Sequence, residues 1–342
     1  MSDTPSSLDS FRFRDVHPTL FMGTMSDRYA GWLGQIYTPE RYRGRITNRT
    51  KTLRGRRFIE EVLPVESVVE YFEHFPVLEL DFTFYRPLLD PEGEPTQNYH
   101  VLRSYSQHMS EKDRVFVKVP QAVCARKLWK GGEFVPNPSY LDAELYTKRF
   151  YEPAREILEG ALHGLIFEQE YQRRDDQATP EGTAEEWDRF FSAVPPDPRR
   201  HLEIRTGRLL GESLFEVLGR HGVGQVLSHW TWLPSLRSQL EMSGGGLPSE
   251  DGAHVIRLAT PRGKTYEETY SSAFPFDALV KGMLHDSTVE ETIEIIRGVV
   301  QRGSRLYLFI NNRAGGNAPL IAQRIAGEFT DAEGGLPRPG PA

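Results

Sequence analysis

The sequence of 342 residues is short of several features that would define its class immediately. It has a single cysteine, Cys124, which excludes an intrachain disulfide and a thiolate-rich metal site and fits a reducing compartment. No apolar run approaches the ~18 residues of a membrane span. The segment from Met1 to Asp15 is polar, where a secretory signal would contain an apolar stretch. We therefore expect a cytoplasmic protein with no membrane partner.

Signature motifs of common cofactor and catalytic sites are also missing. No G-x-G-x-x-G turn follows an early strand, and there is neither a phosphate-binding loop nor a G-x-S-x-G elbow. The ten histidines show no H-x-H or H-E-x-x-H spacing, so there is no local metal motif. We therefore predict no cofactor. A divalent cation held by dispersed residues remains an alternative, and its candidate ligands are Glu79, Glu168, Glu203 and His229.

Positive charge is scarce overall and concentrated in one place. The chain has 41 Lys and Arg against 48 Asp and Glu, a net charge of −7, which argues against an extensive nucleic-acid-binding surface. The segment Arg41–Arg57 is the exception, with eight basic residues and no acidic one. It could bind the phosphates of a nucleic acid, or it could be a solvated loop, and both interpretations stay open.

Short β-rich runs alternate with amphipathic helical stretches along the chain. This alternation predicts parallel strands joined by right-handed crossovers. Eight runs favour one closed α/β barrel of the (β/α)8 TIM type, with loop insertions, over an open doubly wound sheet. The runs are Leu20–Met25, Val77–Phe84, Val115–Val119, Leu165–Gln169, Leu202–Arg205, Gln225–His229, Val255–Leu258 and Leu306–Asn311.

The ends of the chain differ in composition from its middle. Residues 1–17 are predicted to be a flexible tail, and residues 331–342, rich in Gly and Pro, a disordered one. The barrel is expected to occupy residues 18–330 and to contain the basic insertion at 41–57. No internal boundary divides it into two domains.

Three helix starts can be placed from the sequence. The spacings of Thr183 with Glu186 and of Ser287 with Glu290 are those of capping boxes, and each predicts the opening of a helix. Asn317, followed by Ala and Pro, predicts the start of the last helix, because proline is tolerated in the first turn.

Charged residues interrupt the apolar runs with a period of two. Side chains alternate between the faces of a strand, so packing the apolar set against the helices turns the polar set toward the barrel axis. Charges there are stable only when paired or close to water, and the C-terminal mouth is the wet end. The sequence therefore predicts a polar site at this mouth, formed by Glu79, Asp81, Lys118, Glu203, Arg205, Arg257 and Asn311.

This residue set predicts a small-molecule enzyme that acts on a hydroxylated, possibly anionic, sugar-like substrate by isomerisation or hydrolysis. Glu79 and Glu203 are the acid/base candidates, and Lys118 would tune their pKa or donate a proton. Arg205 and Arg257 would bind the anionic group of the substrate.

The remaining candidates would position the substrate. Asp81 and Asn311 would bind its hydroxyls, while Trp32 and Tyr85 would offer stacking surfaces. Two alternatives stay open: a non-catalytic ligand-binding barrel whose charges satisfy one another, and a nucleic-acid or phosphate-polymer protein that uses the insertion at 41–57. The oligomeric state is not predicted.

Several motifs resemble those of the YecE-like family, also known as domain-of-unknown-function family 72. The most specific are T-F-Y-R at Thr83–Arg86 and N-N-x-x-x-x-x-A-P at Asn311–Pro319. A W-x-G-x-x-Y-x-P segment at Trp32–Pro39 is similar as well, and the resemblance extends over roughly Leu20 to Phe329. It implies a TIM-like barrel, distantly similar to sugar isomerases, and no settled activity.

Overall fold

The computed structural model describes residues 10–332 and contains a closed barrel of eight parallel strands. The strands are β1 (Leu20–Met25), β2 (Thr47–Leu53), β3 (Arg56–Val62), β4 (Val77–Leu80), β5 (Arg114–Lys118), β6 (Lys127–Lys130), β7 (Glu133–Pro136), β8 (Leu162–Gln169), β9 (Arg200–Ile204), β10 (Gly224–His229), β11 (Ala253–Leu258) and β12 (Arg305–Ile310). The barrel order is β1-β12-β11-β10-β9-β8-β5-β4, whereas β2–β3 and β6–β7 are separate antiparallel hairpins. The predicted (β/α)8 fold is confirmed.

Helices surround the barrel, with at least one after every barrel strand. They are α1 (Pro39–Tyr42), α2 (Val68–His74), α3 (Gln97–Ser106), α4 (Gln121–Cys124), α5 (Ala143–Tyr146), α6 (Glu152–Leu158), α7 (Pro180–Ala193), α8 (Glu212–Arg220), α9 (Leu236–Met242), α10 (Tyr266–Ala273), α11 (Asp286–Gln301) and α12 (Ala318–Ala332). Within residues 10–332, no helix has the length and apolar character needed to cross a membrane.

The apolar side chains of the strands divide between two cores, as the alternation predicts. Leu78 and Leu80 of β4 belong to the core between the barrel and its helices. Val77 of the same strand belongs to a second cluster inside the barrel. The core between the barrel and its helices contains many aromatic contacts. In one of them, Phe167 on β8 packs on Trp187 on α7 with ring centroids 6.0 Å apart.

The axis of the barrel is filled by aromatic rings below the mouth. Phe116 of β5 lies between Tyr307 and Phe309 of β12, with ring centroids 4.6 and 4.9 Å away. Gly164 on the adjacent strand β8 makes room for it, because a Cβ atom there would come within 1.9 Å of the Phe116 ring. The barrel is therefore a packed core with no channel through this level.

Three local predictions need correction. α7 begins at Pro180 with Thr179 as its N-cap, so Thr183 lies one turn inside the helix. α11 begins at Asp286, and Ser287 is likewise not its cap. In both cases the helix starts earlier, at a residue type that also suits a helix start: Thr179 is the N-cap of α7, and Asp286 is the first residue of α11. The second predicted run is also too long, since β4 ends at Leu80 and a 3₁₀ turn follows.

The N-terminal segment predicted as a tail packs against the barrel wherever the structure describes it. Phe11 and Phe13 are buried, and the N–H of Phe13 donates to the carbonyl of His74 at the end of α2. Two aromatic side chains close together provide enough apolar surface to hold residues 10–17 in place. Residues 1–9 and 333–342 of the predicted tails lie outside the described residues.

Candidate active site

A layer of buried charges lies directly above the aromatic rings of the barrel axis. Five strands each contribute one side chain: Glu79 from β4, Lys118 from β5, Glu168 from β8, Glu203 from β9 and Arg257 from β11. Each lies two residues beyond an inward-facing residue of its strand, so the strand pleat turns it to the axis. Arg205, just beyond β9, completes this charged layer by pairing with Glu168 and Glu203.

Arg257 lies at the centre of the charged layer and contacts all three carboxylates. Its Nε and Nη2 atoms donate to Glu79 Oε2 and Oε1 over 2.9 and 2.7 Å, a bidentate pair. Its Nη1 atom donates to Glu168 Oε2 over 3.0 Å and also to Glu203. Burial lowers the pKa of Arg257, but the charges of Glu79 and Glu168 outweigh burial and raise it above its usual value.

Glu168 accepts from three cations through one oxygen. Besides Arg257, its Oε2 atom lies 2.6 Å from Lys118 Nζ and 2.7 Å from Arg205 Nη2. Burial alone would raise the pKa of Glu168, but Arg205, Lys118 and Arg257 together hold it well below its usual range. Glu168 is therefore ionised at every physiological pH, and it fixes the cations around it.

Exposure within the charged layer is uneven. The side chains of Glu79 and Glu203 are 0% exposed, whereas those of Lys118 and Arg205 are 8% and 14% exposed. The Lys118 Nζ atom lies 3.9 Å from the centre of the Phe84 ring, and the Arg205 guanidinium lies 3.8 Å from that of Trp230. A molecule that enters the mouth thus meets two cations on aromatic rings, with the carboxylates behind them.

Burial also changes the acidity of Lys118. It lowers the pKa of this ammonium group below its usual value, although the negative charge of Glu168 opposes the change. A lysine with a lowered pKa is better suited to proton transfer near neutral pH.

Asp81 and Tyr85 lie in the loop after β4, above Glu79. Asp81 is partly buried, and within residues 10–332 its carboxylate has no direct hydrogen-bond or ion-pair partner, although Arg49 lies within electrostatic range. Its backbone carbonyl accepts from the N–H of Phe84 over 3.1 Å. Tyr85 is 67% exposed, and Asp81 and Arg313 lie within electrostatic range of its hydroxyl. Asp81 is thus a carboxylate at the mouth that no guanidinium group among the described residues contacts directly.

Two predicted substrate-binding residues have other contacts. Trp32 is fully buried, and its Nε1 atom donates to Asn312 Oδ1 over 3.1 Å. The same Oδ1 accepts from the N–H of Ala318 at the start of α12, which links the first loop to the last helix. Asn311 is buried and caps the following turn by accepting from the N–H of Arg313 over 3.0 Å. These motif residues connect the segment after the first barrel strand with the segment after the last one.

Glu168 is the residue that sequence reasoning missed as a site residue. The sequence predicts it only as a ligand for a dispersed cation, although it lies two residues after the inward-facing Ile166 and so follows the same alternation as Lys118. Among residues 10–332, no group of three or more His, Cys, Asp or Glu side chains is arranged to hold a metal ion. The three glutamates of the charged layer bind Arg and Lys side chains.

The basic segment Arg41–Arg57 is not an irregular loop. It contains the last two residues of α1, all of β2 and the start of β3, and the next residue, Phe58, packs on Tyr270 of α10 with ring centroids 5.1 Å apart. Many of its cations pair with carboxylates of the chain, as in the 2.6 Å contact of Arg49 with Glu60 and the 3.6 Å contact of Arg54 with Glu267. The basic side chains with such partners are Arg41, Arg45, Arg49, Lys51 and Arg54. A nucleic-acid partner for this segment stays a prediction.

Known structures share this barrel. A DUF72 family protein from Thermotoga maritima MSB8 is 16% identical and aligns with a TM-score of 0.56 over 91% of this chain and 99% of its own. A DUF72 family protein from Enterococcus faecalis V583 is 11% identical, with a TM-score of 0.50 over 93% of this chain and 98% of its own. Identities this low show similarity of fold alone. No curated protein sequence matches the chain.

The sequence also matches a family profile described as "Protein of unknown function DUF72". The match covers residues 44–342, so it includes every member of the charged layer and leaves out β1 and the Trp32–Pro39 segment. It extends over most of the chain, as the resemblance of the T-F-Y-R and N-N motifs predicts. The chain belongs to the DUF72 family.

Proposed function

We propose that the protein is an enzyme that transfers protons on a small, hydroxylated, anionic substrate bound at the mouth of the barrel. The observation that carries this proposal is the charged layer, in which six ionisable side chains from five strands converge at the C-terminal ends of those strands. Barrel enzymes place their chemistry at this end, because loops from all eight strands can reach a ligand there.

The two least buried cations of the charged layer favour an anionic substrate. Arg205 and Lys118 are the members that face the mouth, and Glu168 holds both in place. Their positions are therefore fixed before a ligand arrives, so little side-chain entropy is lost on binding. Arg257 is 2% exposed and serves as a positioning residue that keeps Glu79, Glu168 and Glu203 in register.

Lys118 and Asp81 are the proposed proton-transfer pair. Lys118 has a lowered pKa, and Asp81 is a carboxylate that no cation among the described residues contacts directly. The carboxylate oxygens of Glu79 and Glu203 are occupied by guanidinium groups, so these two residues are suited to hold the arginines in place. Such a pair supports isomerisation of a hydroxylated carbonyl compound as well as hydrolysis, since both reactions need an acid and a base.

A thermal-shift screen of the full chain against a library of metabolites tests this proposal. We expect hydroxylated anions to stabilise the protein, and turnover of the best ligand to fall at least about a hundredfold in Asp81→Asn and Lys118→Met. The binding affinity of Asp81→Asn should change far less than its turnover. Glu290→Gln, on the exposed face of α11, is the matched control and should behave as wild type.

Circular dichroism of each variant confirms that the fold is retained. The proposal would be wrong if no hydroxylated anion stabilises the wild-type protein. It would also be wrong if folded Asp81→Asn and Lys118→Met turn the substrate over at the wild-type rate.

A further inference from the structure

Four of the five large exposed aromatic side chains in residues 10–332 form two ring pairs, Trp129 with Phe134 and Tyr171 with Trp232. In residues 10–332, each large exposed aromatic residue lies in a segment that follows a barrel strand. An exposed aromatic ring leaves a large apolar surface in water, and a cluster of such rings commonly marks a ligand site. These residues are Tyr85, Trp129, Phe134, Tyr171 and Trp232.

Tyr171 and Trp232 form an aromatic pair between the loops on either side of the loop that follows β9. Their ring centroids are 5.6 Å apart, with the ring planes inclined by 38°, and both side chains are about half exposed. Tyr171 follows β8 and Trp232 follows β10, and β9 lies between these strands in the barrel. The Tyr171–Trp232 pair therefore flanks the loop that begins with Arg205.

The loop that follows β9 is held on both sides. A hydrogen bond connects it to the loop after β8, and close packing connects it to the loop after β10. Thr206 Oγ1 accepts from the N–H of Gln172, next to Tyr171, over 2.7 Å. Gly207 approaches the loop after β10 so closely that a Cβ atom would lie 3.1 Å from Pro234 Cδ and 3.4 Å from the Trp232 carbonyl oxygen. The Tyr171–Trp232 pair is thus held beside Arg205 by a connected set of loops.

The loops after β9, β10, β11 and β12 carry no negative charge close to their strands, whereas the loop after β8, which holds Tyr171, contains Glu170, Asp175 and Asp176. Segments 205–211, 259–265 and 311–317 contain no acidic residue, and 230–235 contains no charged residue, although the chain as a whole has a net charge of −7. These segments follow β9, β11, β12 and β10, which are consecutive in the barrel. Their cations are Arg205, Arg208, Arg262, Lys264 and Arg313.

We propose that the ligand of this mouth is a nucleotide unit, with its base on the Tyr171–Trp232 pair and its phosphate against Arg205 and Lys118. This inference rests on the proposed function and names its substrate class. A flat ring joined to a phosphate matches an aromatic surface beside cations, whereas a sugar phosphate would use only the cations. The same chemistry belongs to a free nucleotide and to a nucleotide within a single strand. A duplex keeps its bases stacked and away from Trp232.

Calorimetric titration of the full chain measures separately how much the base and the phosphate contribute to binding. The probes are the four nucleoside 5′-monophosphates, adenosine, ribose 5-phosphate and inorganic phosphate. We expect at least one monophosphate to bind about tenfold or more tightly than ribose 5-phosphate, which lacks the base, because stacking of one base contributes that much. Adenosine, which lacks the phosphate, should bind correspondingly weakly. A single-stranded decanucleotide that binds more tightly than every monophosphate would identify the polymer as the source of the nucleotide.

Two tryptophan variants test the position of the base. Trp232→Ala should weaken binding of the best nucleotide about tenfold and leave binding of ribose 5-phosphate unchanged. Trp129→Ala is the matched control, since this tryptophan is also exposed but lies on the β6–β7 hairpin, and it should keep wild-type affinity. Both residues are on the surface, so neither change removes a core contact.

The outcomes also separate this inference from the proposed function. Equal affinities for ribose 5-phosphate and the nucleotides, or an unchanged affinity in Trp232→Ala, would overturn the nucleotide assignment and leave the proposed enzyme intact. Equal losses in Trp232→Ala and Trp129→Ala would overturn the assignment of the base to the Tyr171–Trp232 pair. If none of the phosphate compounds binds, the inference is overturned, and the metabolite screen then tests the proposed function on its own.

Discussion

Two levels of the barrel axis, only two residues apart along the same strands, are filled in opposite ways. At the lower level Phe116 packs against Tyr307 and Phe309, and at the upper level Lys118 pairs with Glu168. The lower level is held by apolar burial, whereas the upper one needs every charge to be matched. Buried ion pairs are rarely more stabilising than apolar side chains of similar size. Stability alone therefore does not account for the charges of the upper level.

Two buried carboxyl groups near the mouth show how strongly neighbouring cations change the pKa of a buried acid. Glu168 is surrounded by three cations, and its pKa is held well below the usual range. Asp27, just beyond β1, accepts a hydrogen bond from the Tyr105 hydroxyl over 2.7 Å, but its Oδ2 atom has no partner. Burial raises the pKa of Asp27 to about 6. Equal burial thus gives opposite shifts, depending on the cations nearby.

The largest expected effect is the removal of the central cation. Arg257→Met leaves the buried carboxylates of Glu79 and Glu203 without their shared partner, and we expect the free energy of unfolding to fall by about 3–5 kcal/mol at neutral pH. The loss should shrink as the pH is lowered, because protonation removes the unmatched negative charge. Urea denaturation between pH 4 and pH 8 measures both effects.

Arg237→Met is the matched control for this change, since Arg237 also pairs with a glutamate, Glu294, but both side chains are more than half exposed. It should change the stability little. Wild-type stability of Arg257→Met at neutral pH would contradict a tightly matched charged layer.

The second effect is overpacking of the lower level. Gly164→Ala places a methyl group against the Phe116 ring, and we expect a loss of roughly 3 kcal/mol, since the ring is enclosed by Tyr307 and Phe309. Gly160→Ala, which meets no atom within 4 Å, is the control. Thermal denaturation of both variants measures the difference, and equal melting temperatures would mean that the lower level is not closely packed.

The smallest effect concerns the unmatched carboxyl group. The pKa of Asp27 is about 6 in the folded protein against an ordinary 3.8, so the folded state binds the proton more tightly than the unfolded state. Its contribution to stability is therefore complete below about pH 4 and is lost as the pH rises to about 6. From this shift we expect a loss of roughly 2–3 kcal/mol.

Asp27→Asn keeps an acceptor for Tyr105 and carries no charge, so it should not show this loss. The measurement is the difference in unfolding free energy between wild type and variant as a function of pH. A difference that does not change between pH 4 and pH 7 would show that Asp27 is not buried as a neutral acid.

The sequence by itself determined the barrel and the direction in which its charges point. Eight apolar runs separated by helical segments define the fold class, and the period of two places Glu79, Lys118 and Arg257 on the inner face. Both signals are local, because the pleat of a strand depends only on neighbouring residues. Where local signals compete, as at Thr179 and Thr183, the sequence predicts the helix but misplaces its first residue.

Only the tertiary structure decided which charges meet. Arg257 pairs with Glu79 across 178 positions of sequence, and no spacing within one strand predicts that contact. Closure of the barrel places Glu168 in contact with three cations, whereas none of the described residues brings a cation into contact with Asp81. It also buries Trp32 against Asn312, where the sequence suggests a stacking surface. The alternation of side chains follows from the geometry of one strand. Ion pairing, exposure and pKa depend on groups from different strands, which come together only when the first and last strands close the barrel.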